Sequence, residues 1–164
     1  MGFFFDLMKY ARLSKEQFEN LNDKFALFLA AQSIDKIQWD QIKSQNPSLT
    51  EELLDLFSDI VWDQSLDKII YLENRSDQHL FLFKRENARI DLILIKVRED
   101  CPSLMQKDYK HWLAGHLSDP RVTIFESSRS FPEDFKGEKF KLMNKGATIS
   151  KGEIYEDLIS FLSK

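Results

Sequence analysis

Between positions 13 and 66 apolar residues recur every three or four places, the period of helices buried along one side. Ser14-Lys15-Glu16-Gln17 has the spacing of a capping box, with Leu13 and Phe18 placed to staple it. Phe18, Leu21, Phe25, Phe28 and Leu29 then share an arc about 100° wide, which suits a core-facing stripe. A second helix is expected over 34–44, with Ile34, Ile37 and Ile42 apolar, stopping before Pro47. Thr50 is expected to cap a third, with Leu49 and Leu54 as its staple and Glu51 and Glu52 facing the positive end of its dipole.

Beyond residue 66 the period shortens. Runs at 69–72, 79–83 and 90–97 are rich in β-branched and aromatic residues and are separated by polar loops at 74–77 and 85–87. They read as an antiparallel meander, although 69–72 could instead prolong the helix before it. The 90–97 run is almost wholly apolar, as a strand covered on both faces would be. A helix over 104–117 and a strand over 122–125 follow. Pro132-Glu133-Asp134 resembles a helix start, Lys141 and Lys145 suit its last turn, and Gly146 suits the position after it. Ser150-Lys151-Gly152-Glu153 repeats the capping-box spacing ahead of a last helix to Leu162. The expected fold is α+β: N-terminal helices, a small mixed sheet (a three-stranded meander plus one strand after a helix), and C-terminal helices packed on the sheet.

At 164 residues, with five Gly, four Pro and 43% apolar residues, the chain is long and apolar enough for a real core and is not of low complexity. One cysteine excludes an internal disulfide and a Cys-rich zinc module. The net charge of −4 is unevenly spread: residues 1–76 hold 8 basic and 13 acidic side chains, residues 77–164 hold 15 and 14. A nucleic-acid partner is therefore not expected, since phosphate neutralisation needs a basic excess. No apolar run is long enough to span a membrane, and the Phe3-Phe4-Phe5 run is too short for a signal segment, so a cytoplasmic protein is expected.

Four stretches together resemble an uncharacterised family of small bacterial proteins known only as a domain of unknown function. They are Met8 to Phe18 (MKYARLSKEQF), Gln32-Ser33-Ile34-Asp35, Asp55-Leu56-Phe57-Ser58-Asp59, and Lys145-Gly146-Ala147 through Gly152-Glu153. The resemblance implies no activity and no functional residues. It sets residues 1–7 apart as an extension ahead of a single domain over 8–164.

Catalytic patterns are sparse. No two of Gly2, Gly115, Gly137, Gly146 and Gly152 lie close enough to cradle a phosphate. His111 and His116, five apart, face different sides of a helix and cannot share a zinc ion. Asp108 and His111 could pair as acid and base, and Cys101 could gain reactivity from a helix start and Arg98, but a solvated helix face and an inert thiol are the simpler readings. The element order also permits a nuclease-like core. Asp91 and Lys96 would point to opposite faces of one strand, however, and Asp108-Tyr109-Lys110 and Asp134-Phe135-Lys136 fall in helical segments.

Surface patterning is more informative. Glu51, Asp55, Asp59 and Asp63 share one flank of the third helix, with Trp62 beside them and Leu53, Leu54, Phe57, Ile60 and Val61 opposite. Like charges four apart repel by a few tenths of a kcal/mol each. That cost points to a basic partner, or to cations supplied from elsewhere in the fold. Trp39 and Trp112 read as packing residues. Lys136, Lys139, Lys141, Lys145 and Lys151 are interleaved with acids, and Phe3, Phe4 and Phe5 suit self-docking or a weak homodimer contact. The expectation is thus a non-catalytic cytoplasmic interaction or regulatory domain that engages a protein through Trp62 and the acidic flank, with no cofactor or metal. The alternative is a small enzyme: a hydrolase centred on Asp108, His111 and Cys101, or a degenerate metal-dependent nuclease.

Overall fold

The computed structural model describes residues 9–130 and 135–164, so Phe3, Phe4 and Phe5 and the Pro132-Glu133-Asp134 helix start lie outside the described residues. The chain divides into two compact units, Met1–Asp67 and Lys68–Lys164.

The first unit is helical: α1 (Lys15–Asn20), α2 (Asn22–Ala31), α3 (Lys36–Gln45) and α4 (Pro47–Lys68). The Ser14 box forms as expected, its hydroxyl accepting from Gln17 N–H at 3.1 Å while Gln17 Oε1 accepts from Ser14 N–H at 2.8 Å. The helix it opens is shorter than the apolar stripe suggests. Leu21, at φ −106 and ψ 21, breaks the stripe into α1 and α2. Asp35 and Gln38 make a second box ahead of α3.

Thr50 does not cap α4. The helix starts at Pro47, a first-turn position where the missing N–H costs nothing. Asn46 Oδ1 accepts from Leu49 N–H at 3.2 Å, and the Thr50 hydroxyl donates to the carbonyls of Asn46 and Ile42. The core joins Leu13, Phe28, Leu29, Leu53 and Phe57, with Phe18, Phe25, Trp39 and Trp62 packed against it. Phe25 sits edge-on to Phe57 and Trp39, with ring centroids 5.0 and 5.3 Å away.

Among its described residues the second unit forms a five-stranded sheet with three helices. The strands are β1 (Tyr71–Arg75), β2 (His79–Glu86), β3 (Arg89–Val97), β4 (Val122–Ser130) and β5 (Thr148–Ser150), in the order β4-β3-β2-β1-β5. Every pairing is antiparallel, so the expectation of a mixed sheet is corrected. The 69–72 run resolves as strand from Tyr71, and β2 and β3 turn tightly at Asn87 (φ 56). The helix expected over 104–117 is only α5 (Tyr109–Ala114), and the strand at 122–125 continues to Ser130.

The other two helices are α6 (Phe135–Asn144) and α7 (Glu153–Leu162). After α6, Gly146 adopts φ 107. Its N–H bonds Met143 O at 3.0 Å and Ala147 N–H bonds Leu142 O at 3.0 Å, the paired closure of a Schellman motif.

The Ser150 capping box does not form. Ile149 and Ser150 pair with Leu72 and Tyr71 as a fifth strand, and Gly152, at φ 81, becomes the cap residue of α7. One sheet face, carrying Leu80, Leu82, Ile93, Ile95 and Val97, packs on Tyr109 and Leu113 of α5 and Tyr155 and Leu158 of α7.

Candidate interaction surface

Residues 9–13 meet the carboxylates of Glu51, Asp55, Asp59 and Asp63 on α4. Arg12 pairs with Glu51 and with Asp55, the latter at 2.6 Å. Asp59 accepts backbone N–H bonds from Lys9 (2.8 Å) and Tyr10 (3.0 Å), and Asp63 accepts from the Tyr10 hydroxyl at 3.0 Å. Three residues beyond Tyr10, Leu13 N–H donates to the fully buried Ser58 hydroxyl, which donates in turn to Leu54 O at 2.7 Å. The repulsion along the flank is thus relieved from within the unit. Trp62 is half-buried and packs on the unit's apolar core.

Asp108 and His111 are exposed, and Cys101 is half-buried against the sheet core. Asp108 makes no side-chain cap bond to α5, and no hydrogen bond or ion pair joins these three residues. His116 lies flat on Trp112 (centroids 4.3 Å apart) with Nδ1 2.6 Å from Trp112 O. Among the described residues no three His, Cys, Asp or Glu side chains come together to hold a metal ion.

Across the face that meets α7, Lys84 Nζ bonds Glu156 at 3.0 Å and lies near the Tyr71 and Tyr155 rings. Burial opposes ionisation of Asp91, but hydrogen bonds from Arg89 and Ser128 outweigh it and hold the carboxyl below its usual range. The Arg121 guanidinium holds Asp119 down to about 2. These groups are mutually satisfied and bind the sheet to its own chain. A hollow of about 810 Å³ over the ends of β2, β3 and β4 is lined by His79, Lys96, Arg98, Glu99, Asp100 and Phe125. Its charges of both signs select no ligand class.

The remaining feature lies on α2 and α3. A hollow of about 590 Å³ opens between them, floored by Phe25, Leu29, Ile34 and Trp39 and walled by the exposed Ala26 and Ala30. Asp35, Asp40, Lys36 and Lys43 rim it. Leu27 and Ile37, 72% and 70% exposed, stand on the outer turns of the same helices. A helix apolar around its whole circumference is normally covered on every side. The inner arc of α2 (Phe28, Leu29) is covered, and the outer arc (Ala26, Leu27, Ala30, Ala31) is open. The signal was present in the sequence: Phe25 to Ala31 is seven apolar residues without a break, more than one core-facing stripe requires.

No helix among the described residues is long and apolar enough to cross a membrane. No curated protein and no solved structure matches the chain. The model of a family of unknown function, DUF6495, matches residues 8–163, and on that coverage the chain belongs to this family.

Proposed function

We propose that the protein is a non-catalytic interaction domain that receives the apolar face of an amphipathic helix from a partner protein in the hollow between α2 and α3. The observation that carries this reading is the open apolar arc of α2 beside a hollow floored by Phe25, Leu29 and Trp39. Asn22, Ala26 and Ala30 form one straight row, each a turn from the next, and the two alanines let a second backbone come close. Aromatic side chains at the floor and a charged rim are the arrangement of helix-in-groove recognition. The rim carries two acids and two lysines, so the partner helix is expected to be flanked by both signs of charge rather than to be strongly basic. The carboxylates of α4, already engaged by residues 9–13, support that choice of surface over their own.

The test is a random peptide library displayed against the intact protein, with every enriched peptide re-measured on Ala30→Trp. Ala30 is exposed, so the indole fills the hollow without entering the core. Enriched peptides that fold as amphipathic helices and lose at least tenfold in affinity on Ala30→Trp, with an unchanged melting temperature, support the reading. Peptides that bind the variant equally well would overturn it.

A further inference from the structure

The four charged side chains on the rim of the α2–α3 hollow are not equivalent. Asp35 is the N-cap residue of α3: its Oδ1 accepts from Gln38 N–H at 2.7 Å, and its charge lies at the positive end of that helix's dipole. Asp40 and Lys43, three residues apart on α3, pair with each other at 3.5 Å, and the Lys43 ammonium also lies 5.7 Å from the centre of the Trp39 ring. Lys36 is exposed and, among the described residues, has no hydrogen bond or ion pair. Three of the four charges are answered within the chain and one is not. Lys36 also has a defined place. α2 ends at Ala31 and α3 begins at Lys36, so the residues between them join the two helices at one end of the hollow. Lys36 stands at that closed end with Ala30. Lys43 and Asn22, each about two turns away along its own helix, stand at the open end.

We propose, resting on the helix-in-groove reading, that the helix received in this hollow carries a carboxylate, Asp or Glu, at the end of its apolar stripe that meets Lys36, and that Lys36 fixes which way round the partner lies. A carboxylate at the closed end meets an ammonium that no other group holds. A cation there is repelled by Lys36 and gains little from Asp35, whose charge is already offset by the α3 terminus. At the open end a partner charge of either sign has to compete with the ion pair of Asp40 and Lys43, so that end discriminates less. Exposed rim charges add little to affinity and act instead on orientation and on the choice of partner.

The displayed peptide library, selected in parallel on the intact wild type, on Lys36→Glu and on Lys24→Glu, tests this. Lys24 is exposed on α2 outside the hollow, so its variant changes the net charge equally without touching the rim. Lys36→Glu puts an acid in the first turn of α3, which suits the dipole, and is expected to keep the wild-type melting temperature. The wild type is expected to enrich helices with Asp or Glu at one fixed place at the end of the stripe, and Lys36→Glu to enrich Lys or Arg at that place. Exchanging the acid for lysine in a peptide selected on the wild type is expected to weaken binding to the wild type about fivefold and to strengthen binding to Lys36→Glu. Lys24→Glu is expected to select as the wild type does. Peptides that lose affinity on Ala30→Trp but show no such reversal overturn the role of Lys36 and leave the hollow standing as the docking site. A reversal that Lys24→Glu reproduces overturns that role too. Enriched helices that bind Ala30→Trp undiminished overturn both the hollow and the charge rule.

Discussion

Ser58 and Asp59 show how single residues hold down a stretch of chain that has no secondary structure of its own. Residues 9–13 run along α4, and their backbone N–H groups are taken up by side chains of that helix: Lys9 and Tyr10 by Asp59, Leu13 by Ser58. Removing such an acceptor leaves a donor without its bond, at about 1–3 kcal/mol when buried. Ser58→Ala, at a fully buried site, is expected to lower unfolding free energy in urea by about 2 kcal/mol. Arg12→Ala, whose ion pairs are partly solvated, is expected to cost about 0.5–1 kcal/mol, and less in 1 M salt. Ser33 closes α2 in the left-handed region at φ 62, with Ile34 N–H bonding Leu29 O. Glycine accepts that geometry freely, so Ser33→Gly is expected to raise stability by about 0.5 kcal/mol in the same urea titration.

At the scale of elements, the parts read correctly from the sequence were those whose signal is local and chemically complete. The Ser14 box needs only four residues, and the Gly146 closure only the φ that glycine supplies. Failures arose where a local pattern had two uses. Pro47 stops α3 and is also the first residue of α4, with Asn46 rather than Thr50 supplying the capping oxygen. Ser150 has the same spacing to Glu153 as Ser14 has to Gln17, yet its neighbour Tyr71 recruits it into a strand, a long-range pairing that no local window reveals. The acidic flank of α4 was legible as a pattern. That residues 9–13 lie along it was not, because those residues carry no periodicity. Gly152→Ala is the direct probe of the β5–α7 corner. A Cβ there would sit 2.5 Å from the Tyr71 ring, on a backbone at φ 81 that side chains resist. The expected loss is about 2–3 kcal/mol by thermal or chemical denaturation, with Ser150→Ala costing far less.

Over the whole molecule, charge separates the two units: residues 1–67 hold 6 basic and 12 acidic side chains, residues 68–164 hold 17 and 15. The acids of the first unit concentrate on α4, where cations and backbone N–H groups of residues 9–13 meet them. The apolar hollow at α2 and α3 is left with a balanced rim. The second unit carries a pH dependence of its own. Burial keeps the Tyr155 phenol neutral and pushes its pKa from 10.0 up to about 12. A raised folded-state value stabilises the fold fully below the unfolded value near 10, and that contribution is lost as pH rises through 12. Stability is therefore expected to fall between pH 10 and 12, with Tyr155→Phe removing that part of the slope; phenolate absorbance followed alongside unfolding checks it.

A two-dimensional amide and indole NMR titration of the intact protein with a helix-forming peptide selected on it locates the docking surface residue by residue. Shifts are expected to be confined to Asn22, Ala26, Ala30, Lys36, Asp40 and the Trp39 indole, and to be absent in Ala30→Trp. Shifts that cluster on the sheet or along α4 and leave the Trp39 indole unmoved would contradict it.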